Sequence, residues 1–210
     1  MPLALDYIGD ASGRVLIASG FAGRRLGYWV RLEDANWRRL FAYDPLHPPP
    51  RAVPFAIGPE SHRGYAIGPG KKHAALYEID LSHAAADRLI YEAPDADVLA
   101  PVMAANGAVL GVQLNTERPK VHYLHRREAS LIERIDKLFA DTFNEIVDVT
   151  PDKKLYVIRS TSDVEAGAYY LLDANKPHAD LQLIGKARAD LDPAQLARVR
   201  AITITLAYEK

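Results

Sequence analysis

Apolar and polar residues alternate along most of this chain in short runs, which is the pattern of half-buried β-strands. The runs recur in groups of three with a period of about 46 residues. The third run of each group carries a tyrosine, so that Tyr77, Tyr123 and Tyr170 are 46 and 47 residues apart. Repeats of roughly 40–50 residues made of several short strands are typical of propeller blades, which bury their faces against neighbouring blades.

The three repeats and an earlier set of runs predict four blades. The first, second and third strands of the repeats are expected at 55–58, 101–104 and 146–149, at 65–67, 109–112 and 155–158, and at 76–80, 121–124 and 169–173. The earlier set comprises 14–19, 28–32 and 38–42. We therefore predict an all-β fold with a partial β-propeller over residues 1–190, whose four blades lie near 1–50, 51–97, 98–144 and 145–190.

One segment breaks the strand pattern. Between residues 126 and 143 the apolar positions are Leu131, Ile132, Ile135, Leu138 and Phe139, the spacing of an amphipathic helix with one buried stripe. We predict that this inserted helix replaces or covers an outer strand. Protection of a sheet edge is favoured over a helix that binds a partner.

Two further segments read as connections. The proline-rich run 45–50 predicts an inter-blade loop, because proline cannot donate to a sheet ladder, and this is favoured over a ligand for a proline-reading domain. Residues 191–197 predict a linker with a short helical turn at Pro193. Residues 199–207 alternate like a strand outside the repeat, so 191–210 is interpreted as a linker and first strand toward another domain.

The composition of the chain argues against several kinds of partner, location and site. Lys and Arg number 26 against 27 Asp and Glu, a formal charge of -1, which argues against a nucleic-acid partner. No apolar run is long enough for a membrane span, and the first residues do not resemble a signal peptide, so a cytoplasmic location is expected. The chain has no cysteine, which excludes disulfides, thiolate metal sites and a cysteine nucleophile.

The sequence contains few candidate catalytic or metal-binding residues. The G-x-S-x-G motif of α/β-hydrolases is absent, and Gly9-Asp10-Ala11-Ser12-Gly13 is interpreted as a hairpin connection. His122 and His125 form a close pair, but their spacing on a strand would direct them to opposite faces. A half-buried His122 and a turn His125 are therefore expected rather than a metal site.

The remaining polar and aromatic groups are assigned to structure. Asp95 and Asp97 are expected in a turn where blades join, and Ser160-Thr161-Ser162-Asp163 at a hairpin tip. Gly68-Pro69-Gly70 lacks the lysine and helix of a phosphate cradle. Trp29 and Trp37 are expected to pack between blades. We predict no catalytic, cofactor-binding or metal-binding residue and no cofactor.

Three segments carry a family resemblance: Lys72–Leu81, Ala168–Asp173 and, most specifically, Leu191-Asp192-Pro193-Ala194-Gln195-Leu196-Ala197. They resemble the propeller of bacterial prolyl oligopeptidase family serine peptidases, and most closely the dipeptidyl aminopeptidases and acylaminoacyl peptidases. The resemblance extends from about residue 6 to residue 204. It departs from the family at 206–210, where an Ala-Arg-Asp-Gly-like turn would normally follow.

The resemblance implies a truncated peptidase. In that family a seven-bladed propeller caps an α/β-hydrolase domain and admits peptides while excluding large folded proteins. The nucleophile, acid and histidine would all lie beyond residue 210, so the chain alone is expected to be inactive. The implied partners are the α/β-hydrolase domain and, in a full-length parent only, peptide substrates.

Two other interpretations stay open. The chain could be a self-contained four-bladed propeller that binds a protein or ligand, or a small propeller enzyme such as a glycosidase or lactonase that uses loop carboxylates. A partial ring should expose apolar blade faces and self-associate, whereas a self-contained module should close on itself and be monomeric.

Overall fold

Strands dominate the described part of the chain, which in the computed structural model comprises residues 4–31, 36–82, 87–176, 181–199 and 202. The strands are β1 (Ala4–Gly9), β2 (Val15–Ala22), β3 (Arg25–Arg31), β4 (Trp37–Tyr43), β5 (Val53–Ile57), β6 (Arg63–Pro69), β7 (Ala74–Asp80), β8 (Arg88–Tyr91), β9 (Val98–Met103), β10 (Val109–Leu114), β11 (Lys120–Tyr123), β12 (Phe143–Val149), β13 (Leu155–Ser162), β14 (Glu165–Asp173) and β15 (Leu181–Lys186). The described residues also form one α-helix, α1 (Arg126–Leu138), and one 3-10 helix (Pro193–Gln195).

The strands form four consecutive antiparallel sheets, each a meander in which neighbours in sequence pair. Sheet 1 contains β1–β4, sheet 2 β5–β8, sheet 3 β9–β11 and sheet 4 β12–β15. The prediction of an all-β, blade-like propeller fold with an inserted helix is confirmed. The sequence pattern does not predict strand β1, whose pairing with β2 shifts register near both ends.

Three apolar cores join the four sheets in series. Leu16, Ile17 and Val30 of sheet 1 pack with Ile57 and Ile79 of sheet 2. A second core joins sheets 2 and 3, and a third joins sheet 3 and α1 to sheet 4. The first strands follow the same series, with β1 beside β5, β5 beside β9 and β9 beside β12. Among the described residues no comparable core joins sheet 4 back to sheet 1, so the described parts of the four blades form an open arc.

Helix α1 takes the place of the missing outer strand of sheet 3. Its buried stripe of Leu131, Ile132 and Ile135 belongs to the core between sheets 3 and 4, as its spacing predicts. The helix ends at Leu138, whereas the sequence predicts it to Phe143. Thr142 Oγ1 donates to the Phe139 carbonyl at 3.0 Å, which stabilises the chain's exit from the helix, and Phe143 already begins β12.

One hairpin tip differs from its prediction. Ser160, Thr161 and Ser162 continue β13, and the turn lies at Asp163 and Val164. The polarity of the segment suggested a solvated loop, but Ser160 is only 3% exposed and its hydroxyl donates to Thr142 Oγ1 at 2.8 Å. A buried polar partner therefore replaces the expected solvent.

The connections are where the sequence predicts them. The proline run lies between β4 and β5. The 3-10 turn begins at Pro193, and Asp192 accepts from the Ala194 N–H at 2.9 Å as its N-cap. The strand predicted over 199–207 lies outside the described residues except for Val199 and Ile202, which are exposed and not in a strand.

Candidate functional site

A buried carboxylate lies where α1 meets the hairpin between β12 and β13. Glu128, in the first turn of α1, is 0% exposed. Its Oε1 accepts from Lys153 Nζ at 2.9 Å and from the Tyr156 hydroxyl at 3.4 Å. Arg127 donates to the Lys153 carbonyl at 2.6 Å and stands over the Tyr156 ring. We call Arg127, Glu128, Lys153 and Tyr156 the helix-anchoring cluster.

Electrostatics keep this carboxylate ionised. Burial alone raises the pKa of Glu128, but the hydrogen bond and charge of Lys153, helped by His125, outweigh it and lower the pKa. Burial and the Glu128 charge raise the pKa of Tyr156, which stays a neutral donor. Glu128 Oε2 has no hydrogen-bond partner among the described residues. An ionised, paired carboxylate suits anchoring of the helix better than proton transfer.

Sequence reasoning overlooked Glu128, although a signal was present. Glu128 precedes Leu131, Ile132 and Ile135 by three, four and seven positions, which places it on the apolar stripe of the helix. A charge on such a stripe is rarely buried without a partner. Its partner, Lys153, could not be inferred, because it is a non-glycine residue with φ +56° in a turn 25 positions later.

A second polar group crosses from sheet 3 to sheet 4. The Tyr123 hydroxyl accepts from the Ile146 N–H at 2.8 Å, and burial raises the pKa of this tyrosine. Asn144, 3% exposed, donates to Asp136 of α1 at 2.9 Å, and its Oδ1 lies 3.0 Å from the Thr142 hydroxyl, whose one proton is shared between Asn144 and the Phe139 carbonyl. These bonds satisfy buried groups at the seam and fix sheet 4 against sheet 3.

Of the two carboxylates predicted at the join of sheets 2 and 3, Asp97 has structural partners, and the nearby Glu92 has them too. Asp97 Oδ1 accepts from the Ala74 N–H at 2.8 Å and lies 3.5 Å from His73 Nδ1. Glu92 accepts from the Lys72 N–H at 2.8 Å, and this backbone bond, with burial opposing it, lowers its pKa. Asp95 is exposed between them. The two bonded carboxylates hold the β6–β7 hairpin to the inter-blade connection.

The segment around Ser12 is the β1–β2 turn, as predicted. Asp10 Oδ1 accepts from the Ser12 hydroxyl at 2.6 Å and from the Ser12 and Arg14 N–H groups, each at 3.0 Å. The Ser12 hydroxyl bond is the largest cause that lowers the pKa of Asp10 to about 2. Asp10 Oδ2 also accepts from the hydroxyl of Ser61, in the β5–β6 turn of the second blade, at 3.3 Å. Asp10 is thus committed to closing a turn and linking two blades.

The His122 and His125 side chains do not form a common site. His122 in β11 is more exposed than predicted, but its ring stacks on Tyr91 with centroids 4.3 Å apart. Burial is the main cause that lowers its pKa. His125 is the exposed residue before α1. The described residues contain no group of three metal-ligating side chains, and no helix among them has both the length and the apolar character needed to cross a membrane. A cytoplasmic location stays a prediction.

The tryptophans pack on their own sheet. A Cβ on Gly27 would come 2.5 Å from the Trp29 ring, so the ring lies across this glycine rather than in the core between sheets 1 and 2. Trp37 packs under the Arg31 guanidinium, 5.1 Å from its ring centroid. The prediction that both lie between blades is wrong for the described blades, because both residues lie on the face of sheet 1 away from sheet 2, which we call its free face; Trp29 is nevertheless only 9% exposed there.

Comparisons with known proteins assign this chain to no family. No protein-family model and no curated protein matches the chain. Among solved structures, TolB from Acinetobacter baumannii is similar over 88% of this chain and 44% of its own, with 12% identity and a TM-score of 0.46. The chain thus spans less than half the length of the TolB chain.

Proposed function

We propose that this chain is the non-catalytic, substrate-gating propeller portion of a prolyl oligopeptidase-like serine peptidase. The observation that carries the proposal is the open arc, in which three cores join four blades. A blade without a neighbour leaves an uncovered sheet face, so an open arc is suited to be part of a larger ring. The capped turn at Pro193 after the last blade also supports it, since the resemblance places the passage to the hydrolase domain there.

Gating follows from the rigidity of such a ring. The first strands β1, β5, β9 and β12 are adjacent and would line the passage around the axis. A passage of fixed width admits an extended peptide and excludes a folded protein. Acyl transfer needs a nucleophile, a base and oxyanion donors, which this function assigns to a separate hydrolase domain.

The decisive experiment examines the reading frame after codon 210. The proposal expects a hydrolase-coding stretch with G-x-S-x-G there, and expression of the joined protein from its complete reading frame, with the blades that close the ring, should give an aminopeptidase that cleaves short peptides but not folded proteins. Removing residues 4–190 from that protein should let it attack casein-sized substrates. The absence of any hydrolase sequence downstream would refute the peptidase assignment.

The chain by itself should not turn over substrate. Purified protein incubated with aminoacyl-nitroanilides and a fluorophosphonate probe should show neither hydrolysis nor labelling. The joined protein, and its variant with the motif serine changed to alanine, are the positive and negative controls. Hydrolysis that co-purifies with residues 1–210 would contradict a non-catalytic role.

A self-contained binding module is the second candidate. An open hollow of about 540 Å³ beside sheet 4 favours it, lined by Thr150, Pro151, Asp152, Lys154, Leu155, Asp173 and Asn175. This function requires the four blades to close in solution. Small-angle scattering of the monomer separates the two, because a closed ring gives a smaller maximum dimension than an open arc.

A further inference from the structure

The free face of sheet 1 is cationic and aromatic. Register aligns Tyr7, Ala18, Trp29 and Arg39 across the sheet. Successive residues of a strand alternate between faces, so this row lies opposite the core row that contains Ile17. We call this side, which no other blade covers among the described residues, the first-blade face.

The first-blade face carries residue types that are common at protein–protein interfaces. Arg25 and Arg31 share the strand side of Trp29, and Arg31 stacks on Trp37. Tyr7 is 55% exposed and Arg39 is exposed. Tyrosine, tryptophan and arginine are the residues that most often dominate binding energy at protein interfaces. Trp29 is only 9% exposed and Ala18 0%, so the accessible part of the face consists mainly of Tyr7 and the three cations Arg25, Arg31 and Arg39.

The free face of sheet 4 has the opposite charge. Register aligns Asp148 with Val157 and Leu171, and Glu145 with Arg159 and Tyr169. These rows lie opposite Ile158 and Leu172, which belong to the core with sheet 3. We call this side the fourth-blade face.

Acidic groups outnumber basic ones on the fourth-blade face. Arg159 is already bonded to Glu145. Asp148 is exposed, and Asp173 lies on the same side of β14 as Leu171. The surface thus combines apolar and tyrosine side chains with a net negative charge, complementary to the first-blade face.

We propose that the first-blade face of one copy of this chain docks onto the fourth-blade face of a second copy. The two faces differ, so the contact is head to tail. Two copies that make it reciprocally would close a ring of eight blades, within the range known for propellers. The inference rests on the open arc and the charges of its two faces, and is independent of the peptidase role.

Charge reversal on each face tests the contact. Wild-type chain, Arg39→Glu and Asp148→Lys are compared by sedimentation velocity and light scattering over a range of concentrations and salt. Matched controls are Arg134→Glu and Asp141→Lys, which make the same charge changes at exposed positions of α1 and the α1–β12 turn. Far-ultraviolet circular dichroism and thermal melts verify that every variant is folded.

We expect a wild-type dimer that weakens as salt is raised, since the charges are screened. Each face variant should raise the dimer dissociation constant at least about tenfold, because like charges then meet, while the two controls leave it unchanged. An equimolar mixture of Arg39→Glu and Asp148→Lys should recover the dimer. In the mixed particle the introduced glutamate of one variant meets the introduced lysine of the other, and the second contact keeps the original pairing of Arg39 with Asp148.

Three results would overturn the inference. One is a wild-type chain that stays monomeric at the highest concentration tested. Another is association of the face variants as strong as that of the controls. The third is a mixture that remains monomeric although both face variants are folded. None of these results bears on the peptidase proposal, which the downstream reading frame tests separately.

Discussion

Replacing Tyr123 with phenylalanine removes one oxygen from the seam between sheets 3 and 4. The Tyr123 side chain is 7% exposed, and its hydroxyl accepts from the Ile146 N–H at 2.8 Å. Phenylalanine keeps the ring in the core but leaves that buried N–H without a partner. An unsatisfied buried donor costs about 1–3 kcal/mol. For a chain of this size, a loss of about 2 kcal/mol lowers Tm by roughly 4–8 °C.

The repeat supplies a matched control. Tyr77 lies 46 residues earlier in the third strand of sheet 2 and faces the preceding sheet rather than the following one, and its hydroxyl donates to the Pro69 carbonyl at 2.7 Å in a solvent-accessible bond. Water can replace it, so Tyr77→Phe should change the free energy of unfolding by less than about 0.5 kcal/mol. Urea denaturation followed by circular dichroism, with an unchanged m-value, measures both variants. Equal losses in the two, or a loss below about 0.5 kcal/mol for Tyr123→Phe, would refute the reasoning.

Three further variants test other contacts. Lys153→Met leaves Glu128 buried without its cation and should lower the free energy of unfolding, measured in urea, by about 2–3 kcal/mol; this is less than for a fully buried pair, because the ammonium is partly exposed. Adding Glu128→Leu to Lys153→Met should restore most of that free energy. Because its hydrogen bonds lower the pKa of Asp10 to about 2, its contribution to the free energy of unfolding is complete above about pH 4 and is lost as pH falls through about 2. Asp10→Asn should therefore reduce the fall of the urea midpoint between about pH 4 and about pH 2. Gly68→Ala would bring a Cβ within 2.6 Å of backbone in the inter-blade connection and should cost about 1–3 kcal/mol in thermal melts, whereas Gly185→Ala, with open space around it, should be near neutral.

Most strands could be predicted because their causes are local. The strands at 65–67 and 155–158 are predicted by the alternation of buried and solvated side chains alone. The helix is predicted by the helical spacing of the apolar residues from Leu131 to Ile135 alone. The errors arose where a distant partner reversed a local preference. Ser160 looked like a loop residue until Thr142 supplied a buried hydrogen bond, and Trp29 looked like an inter-blade residue until Gly27 left room for its ring on the free face.

The helix-anchoring cluster could be predicted only in part. The position of Glu128 on an apolar stripe indicates that it needs a cation, but the cation comes from a turn in the next blade. Nothing in the sequence near residue 153 predicts that its side chain reaches α1. Such pairs depend on the packing of α1 against the β12–β13 hairpin, which is a property of the assembled arc.

The sequence by itself determined that this chain is built from repeating antiparallel strands with one helix, because hydrophobic periodicity and turn residues act over a few positions. Only the tertiary structure decided that the blades form an open arc, and which charges its two free faces carry. Tyrosines at matching positions of the sequence repeat also have different roles: Tyr123 faces the next blade and bonds to its backbone, while Tyr77 faces the preceding blade and bonds within its own hairpin. Local pattern selects the element, and contacts between blades decide what each residue does there.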